Sequence, residues 1–97
     1  MSRQEVLETL AQFHQNRRDE FGIVRIGIFG STARDTASDQ SDVDVVVELS
    51  EPDLLRLVGI KQELEALLDR PVDIVRYRKR MNHFLKRRIE EEAVYVG

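Results

Sequence analysis

Three aspartates of this sequence lie next to or inside apolar runs, where a charge is unfavourable. Asp42 and Asp44 are separated by one residue at the start of one run, and Asp73 interrupts another. A charge inside a buried strand has to be paired or has to bind a metal, and carboxylate oxygens suit Mg²⁺ or Mn²⁺ better than zinc. The pattern therefore indicates a metal site. Two simpler interpretations stay open: the Asp-x-Asp pair as an ordinary turn or cap, and Asp73 as an edge-strand residue facing water.

A glycine and a serine precede these acids and suggest a phosphate-binding turn. Gly30 ends an apolar run, and Ser31 begins a segment that suits a short helical turn. A glycine at such a point allows close approach of the backbone to a phosphate, and the free N–H groups of the turn favour an anion. The serine hydroxyl adds one more hydrogen bond. A Gly-Ser pair alone is common in ordinary turns, so its weight depends on the acids that follow.

The remaining sequence predicts helices and strands that alternate. Val6, Leu10 and Phe13 recur at helical spacing. The predicted elements after this helix are a strand over 23–29, a helical turn over 31–34, a strand over 43–49, a helix over 53–69, a strand over 72–75, a helix over 81–92 and a short strand over 93–96. Only 13 residues separate the first two strands, too few for a comfortable parallel crossover. We therefore expect an α/β (α+β) fold, with a mixed β-sheet flanked by helices.

Composition limits the functional classes. The chain has 97 residues, which suits a single domain over 1–97, and no cysteine, which excludes thiolate metal sites and cysteine nucleophiles. The net charge of −3 provides no global positive field for nucleic acid, so no direct nucleic-acid partner is expected. No apolar run approaches the ~20 residues of a membrane span. We expect no membrane association and a cytoplasmic location.

The spacing of the glycine, the serine and the acids resembles a known superfamily. Residues 30–44 follow the pattern Gly-Ser-x10-Asp-x-Asp, and a third acid lies in a later strand. This arrangement resembles that of the DNA polymerase β-type nucleotidyltransferases. Within them the chain is most similar to the minimal nucleotidyltransferases (MNT), since 30–34 reads Gly-Ser-Thr-Ala-Arg, 41–44 reads Ser-Asp-Val-Asp, and 89–96 resembles the usual ending. Asp35 stands where the family usually has glycine.

The resemblance implies a nucleotidyltransferase fold, a cofactor and a set of site residues. The cofactor is a pair of Mg²⁺ ions, and the substrate is ATP. The implied site residues are Gly30, Ser31, Arg34, Asp42, Asp44 and Asp73. The first two acids contact both metals, the third holds the metal nearest the nucleophile, and the Gly-Ser pair holds the β- and γ-phosphates. The arginine is an electrostatic helper.

The resemblance also implies a partner. Minimal nucleotidyltransferases are typically antitoxins paired with a HEPN-domain ribonuclease toxin, which they neutralise by transferring AMP to a tyrosine, by binding, or by both. Two alternatives stay open: an antitoxin that only masks its toxin, and a small-molecule nucleotidyltransferase of the antibiotic-modifying type. The basic clusters within 76–80 and 86–88 are interpreted as a solvated face, and binding of nucleotide phosphates or of an acidic partner stays open as the alternative.

Overall fold

The computed structural model of the protein describes residues 2–34 and 42–96. Its elements, in order, are α1 (Arg3–Phe21), β1 (Ile23–Ile28), α2 (Gly30–Ala33), β2 (Val43–Leu49), α3 (Leu54–Leu68), β3 (Val72–Arg76), α4 (His83–Glu92) and β4 (Val94–Val96). The predicted order is confirmed, and the boundaries differ from the predicted ones by one or two residues. Asp35, the departure from the family pattern, and Ser41 lie outside the described residues.

The four strands form one mixed sheet in the order β3-β2-β1-β4. β1 pairs with both β2 and β4 in the antiparallel direction. β2 and β3 are parallel, with α3 as the crossover between them. The mixed sheet predicted from the short first connection is confirmed, because β2 is antiparallel to β1 and parallel to β3.

Local sequence signals fix the ends of the long helices. Ser2 and Glu5 form a reciprocal capping box at the start of α1, and Gly22 ends that helix in the left-handed conformation. At the start of α3, the carboxylate of Asp53 accepts hydrogen bonds from the backbone N–H groups of Leu55 and Arg56. None of the helices within 2–34 and 42–96 is both long enough and apolar enough to cross a membrane.

The sheet has two unequal faces. One face packs against α1 and α3 in a large apolar cluster that includes Leu10, Ile60 and Leu64, all with no exposed surface. The opposite face packs against α4 in a cluster whose fully buried members are Phe29, Val46 and Ile89. Because side chains alternate along a strand, each residue of β2 belongs to one face or the other.

Candidate functional site

Two of the predicted acids lie side by side on the α4 face of the sheet. In β2, Val43 and Val45 belong to the α1/α3 cluster and Val46 to the α4 cluster. Alternation therefore places Asp44, between the first two valines, on the α4 face. Asp73 is its direct register partner in the parallel strand β3. Neighbouring strands lie about 4.8 Å apart, so the carboxylates of these two acids project from adjacent positions.

The environment of the third strand differs from the one inferred from its apolar sequence. β3 is an edge strand, paired with β2 alone among the described strands, and the side chain of Asp73 is exposed. The interpretation of Asp73 as a charge inside a buried strand is therefore wrong. The reason is that one face of an edge strand near its end remains open to water. Asp42 is also exposed, immediately before β2, whereas Asp44 is half-buried.

The carboxyl group of Asp44 has a raised pKa. Burial is the largest cause that raises the pKa of its carboxyl group above the ordinary value, and the negative charges of Asp73 and Asp42 raise it further. The guanidinium groups of Arg88 and Arg34 act in the opposite direction. The site thus contains three carboxylates whose mutual repulsion is only partly offset by two arginines.

Gly30 brings the backbone of α2 against this acid. Its φ of 61° lies in the left-handed region, which favours glycine. A Cβ atom added to Gly30 would lie 2.7 Å from Oδ2 of Asp44 and 3.5 Å from Nη2 of Arg88. Two hydrogen bonds fix the arrangement: the N–H of Phe29 donates to the carbonyl oxygen of Asp44 at 3.1 Å, and the N–H of Asp44 donates to the hydroxyl of Thr32 at 3.1 Å.

The predicted phosphate-binding turn is adjacent to the acids, and its donors contact a carboxylate. Gly30 is the first residue of α2, Ser31 follows it half-buried, and Arg34 ends the turn. The N–H of Gly30 donates to Oε2 of Glu92 at 3.1 Å, and Nη1 of Arg34 donates to the same oxygen at 2.9 Å. The structure therefore brings Gly30, Arg34 and Asp44 close together.

The interpretation of the sequence missed Arg88 and Glu92 as site residues. The sequence favours a solvated face for the cluster that contains Arg88, and Glu92 stands out only as part of the family-like ending. A signal was present, because Leu85, Arg88, Ile89 and Glu92 follow the spacing i, i+3, i+4, i+7 of one helix face. Two charges on the stripe that carries the buried Ile89 indicate that the stripe passes from the core into a polar site.

The acids have the chemistry of a Mg²⁺ site, although their side chains do not form a closed cage. Within residues 2–34 and 42–96, no three Asp, Glu, His or Cys side chains are grouped as metal ligands. The donor set fits the ion nonetheless, because the three acids offer hard oxygen ligands and their negative charges disfavour the ionised form of Asp44. A divalent cation between them would offset this repulsion.

Comparison with known proteins decides the family. The profile of the nucleotidyltransferase domain matches residues 10–96. The chain belongs to this family. A relative from Thermococcus cleftensis, described as protein adenylyltransferase MntA, is 36% identical over 94 residues, which are 95% of this chain and 94% of the relative. The resemblance to minimal nucleotidyltransferases drawn from the sequence is thereby confirmed.

Solved structures have the same nucleotidyltransferase fold. A structure described as a minimal nucleotidyltransferase superposes with a TM-score of 0.79 at 34% identity, over 97% of this chain and 95% of the other. A more distant structure contains a tri-AMPylated HEPN toxin of Shewanella oneidensis in complex with an MNT antitoxin. It matches with a TM-score of 0.57 at 21% identity, over 88% of this chain and 70% of the other. This second likeness concerns the fold alone.

Proposed function

We propose that this nucleotidyltransferase is a Mg²⁺-dependent protein adenylyltransferase that transfers AMP from ATP to a tyrosine of a HEPN-domain toxin and so neutralises it. One observation carries the proposal: Asp44 lies beside Asp73, its register partner on the adjacent strand, and against Gly30 of the phosphate-binding turn. Acids that suit a metal and donors that suit a phosphate therefore share one site. Nucleotidyl transfer needs this combination, since the negatively charged triphosphate has to be held beside the acceptor hydroxyl.

The proposal gives each end of the site a separate task. The turn at Gly30, Ser31 and Arg34 holds the β- and γ-phosphates, because its N–H groups and guanidinium are donors to an anion. In the reaction, the acceptor oxygen bonds to the α-phosphorus while the bond between that phosphorus and the pyrophosphate oxygen breaks. The proton of the acceptor hydroxyl has to leave, and Asp73 is an exposed carboxylate beside Asp44 that can accept it.

The acids would hold the cofactor. Asp42 and Asp44 would contact both Mg²⁺ ions, and Asp73 would contact the ion nearest the acceptor. When bound, such ions lower the pKa of an attacking hydroxyl and neutralise charge on the leaving group. Arg88, which faces Asp44, adds a fixed positive charge to the same wall of the site. It therefore belongs with Arg34 among the groups that attract the triphosphate.

The acceptor is the part of the proposal supported by the relatives. The name of the Thermococcus cleftensis protein specifies a protein as the adenylylated substrate, and at 36% identity that assignment is a reasonable guide for this chain. A HEPN toxin as the acceptor is consistent with the Shewanella oneidensis complex, in which the HEPN protein carries AMP. A tyrosine acceptor is chemically consistent, since the phenol becomes a good nucleophile once its proton is withdrawn.

Intact-mass spectrometry of a HEPN-domain toxin tests the proposal. Incubation of the toxin with this protein, ATP and Mg²⁺ should increase the toxin mass by whole adenylyl groups, and peptide mapping should place them on tyrosine. The toxin should remain inactive as a ribonuclease after this protein is removed. Full neutralisation with no mass change, and recovery of an active toxin on dissociation, would show that the protein is a mask instead.

A further inference from the structure

The donors assigned to the triphosphate are already engaged by a carboxylate of the same chain. Glu92 is the last residue of α4, and its Oε2 accepts hydrogen bonds from the N–H of Gly30 at 3.1 Å and from Nη1 of Arg34 at 2.9 Å. These two residues lie 62 and 58 positions away in the sequence, so the contact is a product of the fold. One quarter of the Glu92 side chain is exposed and half of the Arg34 side chain is exposed.

A carboxylate oxygen and a phosphate oxygen require the same partners. Both are anionic acceptors that favour the N–H groups at the beginning of a helical turn and a guanidinium group. A single N–H of Gly30 cannot make a good hydrogen bond to both anions at once. The two anions would also repel each other at hydrogen-bond distance. Nucleotide binding and the Glu92 contact are therefore competing states of one site.

We propose that Glu92 is an internal substitute for phosphate, which occupies the nucleotide-free site and is exchanged for a phosphate group when the triphosphate binds. The proposal rests on the function proposed above for Gly30 and Arg34. In the free protein, the carboxylate keeps the turn in its binding geometry and satisfies its donors. During binding it has to withdraw, which lowers the affinity for triphosphate. Glu92 is thus a residue that sets nucleotide affinity without belonging to the acids of the reaction.

The exchange also links nucleotide binding to the end of α4. The N–H of Ala93 donates to the carbonyl of Ile89 and closes this helix immediately after Glu92. β4 begins at the next residue and pairs with β1. Withdrawal of the Glu92 side chain from the turn should therefore change the environment of the Ala93 amide.

The neighbouring glutamate is a matched control. Glu91 is adjacent in sequence and contacts Arg87, at 3.3 Å between Oε1 and Nε of the arginine, with both side chains largely exposed. Glu91→Gln and Glu92→Gln remove the same charge from the same helix end. Only the second removes the charge that contacts Gly30 and Arg34. Glutamine keeps the shape of Glu92 and can still accept from the N–H of Gly30, so the fold should be retained.

Calorimetric titration with inorganic tripolyphosphate and Mg²⁺ measures the competition directly. Glu92→Gln should bind tripolyphosphate about tenfold more tightly than wild type, since a charge-assisted contact no longer has to be broken. Glu91→Gln should stay within about twofold of wild type, because an exposed charge is well screened. An unchanged or weaker affinity in Glu92→Gln overturns the proposal, as does the absence of tripolyphosphate binding to both proteins.

Amide NMR gives a second readout, first on the wild-type protein and then on Glu92→Gln. Addition of tripolyphosphate with Mg²⁺ should shift the amide signals of Gly30 and Ala93 along one common saturation curve. In Glu92→Gln, the response of Gly30 should persist and that of Ala93 should shrink. In the wild-type protein, a shift of the Gly30 amide signal without a shift of the Ala93 amide signal contradicts the exchange.

The outcomes separate this inference from the proposed function. Tripolyphosphate has no adenylyl group, so its binding is independent of AMP transfer. Wild-type transfer to a HEPN toxin together with unaltered tripolyphosphate affinity in Glu92→Gln overturns the exchange alone. Tighter tripolyphosphate binding in Glu92→Gln, with no adenylyl group added to a toxin, overturns the proposed function alone.

Discussion

The two faces of the sheet differ in how much apolar surface they bury and in how many charged side chains they carry. The α1/α3 face carries the larger apolar cluster and joins two long helices to all the buried positions of β2 but one. The apolar cluster of the α4 face has three buried members, Phe29, Val46 and Ile89, and it gives way to Asp44, Arg88 and Glu92. Since apolar burial is the main favourable term in folding, the first face should supply most of the stability. The second face can then retain repelling carboxylates for chemistry.

The largest effect on stability should come from a cavity on the α1/α3 face. Leu10→Ala removes a side chain with no exposed surface and should lower the free energy of unfolding by about 3 kcal/mol, through lost burial and an unfilled cavity. Leu55→Ala is the control, because that side chain is 81% exposed and should change stability by less than about 0.5 kcal/mol. Urea unfolding measures both. Equal losses in the two variants would remove the distinction between core and surface.

A smaller loss of stability, with a specific loss of binding, should follow from a side chain at Gly30. Gly30→Ala forces a left-handed φ on alanine, which costs about 1–2 kcal/mol, and places Cβ 2.7 Å from Oδ2 of Asp44. Gly22→Ala is the matched control, with a φ of 67° and with Cβ 2.6 Å from Nη1 of Arg56 and 2.8 Å from Oγ of Ser50. Both variants should be destabilised in thermal unfolding, and only Gly30→Ala should lose ATP affinity in calorimetry. Loss of affinity in both would assign the effect to the fold.

The smallest effect should be a pH dependence of stability in the absence of divalent cations. Burial and then the charge of Asp73 raise the pKa of Asp44 in the folded protein, so the folded state binds that proton more tightly than the unfolded state. The contribution of Asp44 to stability is therefore lost as the pH rises from the ordinary aspartate value through the raised value.

Comparison of two asparagine variants isolates the pH-dependent contribution of Asp44 to stability. The stability of Asp44→Asn relative to wild type should increase over the same pH range, as measured by urea unfolding at a series of pH values. Asp19→Asn, at a fully exposed side chain, should show no such trend relative to wild type. A flat difference for Asp44→Asn would contradict a raised pKa of Asp44 in the folded protein.

The sequence was informative where the determining signal was local. Val6, Leu10 and Phe13 specified a helix by their spacing, and the short segment between β1 and β2 specified an antiparallel return. The position of β3 at the sheet edge was not readable, because an apolar run of that length fits a central strand or an edge strand equally well. The contact of Glu92 with Gly30 was missed for a related reason: it joins residues 62 positions apart, and only the packing of α4 brings them together.

The rate of AMP transfer by an Asp44 variant tests the central claim, that the acids of the α4 face carry the chemistry. With toxin, ATP and Mg²⁺ in excess, Asp44→Asn should transfer AMP about a thousandfold more slowly than wild type, because in the proposed mechanism it loses a metal ligand and with it several kcal/mol of transition-state stabilisation. Asp19→Asn should transfer at the wild-type rate. Folding of both variants is checked by urea unfolding in the same buffer. Transfer at the wild-type rate by a folded Asp44→Asn protein would contradict the account.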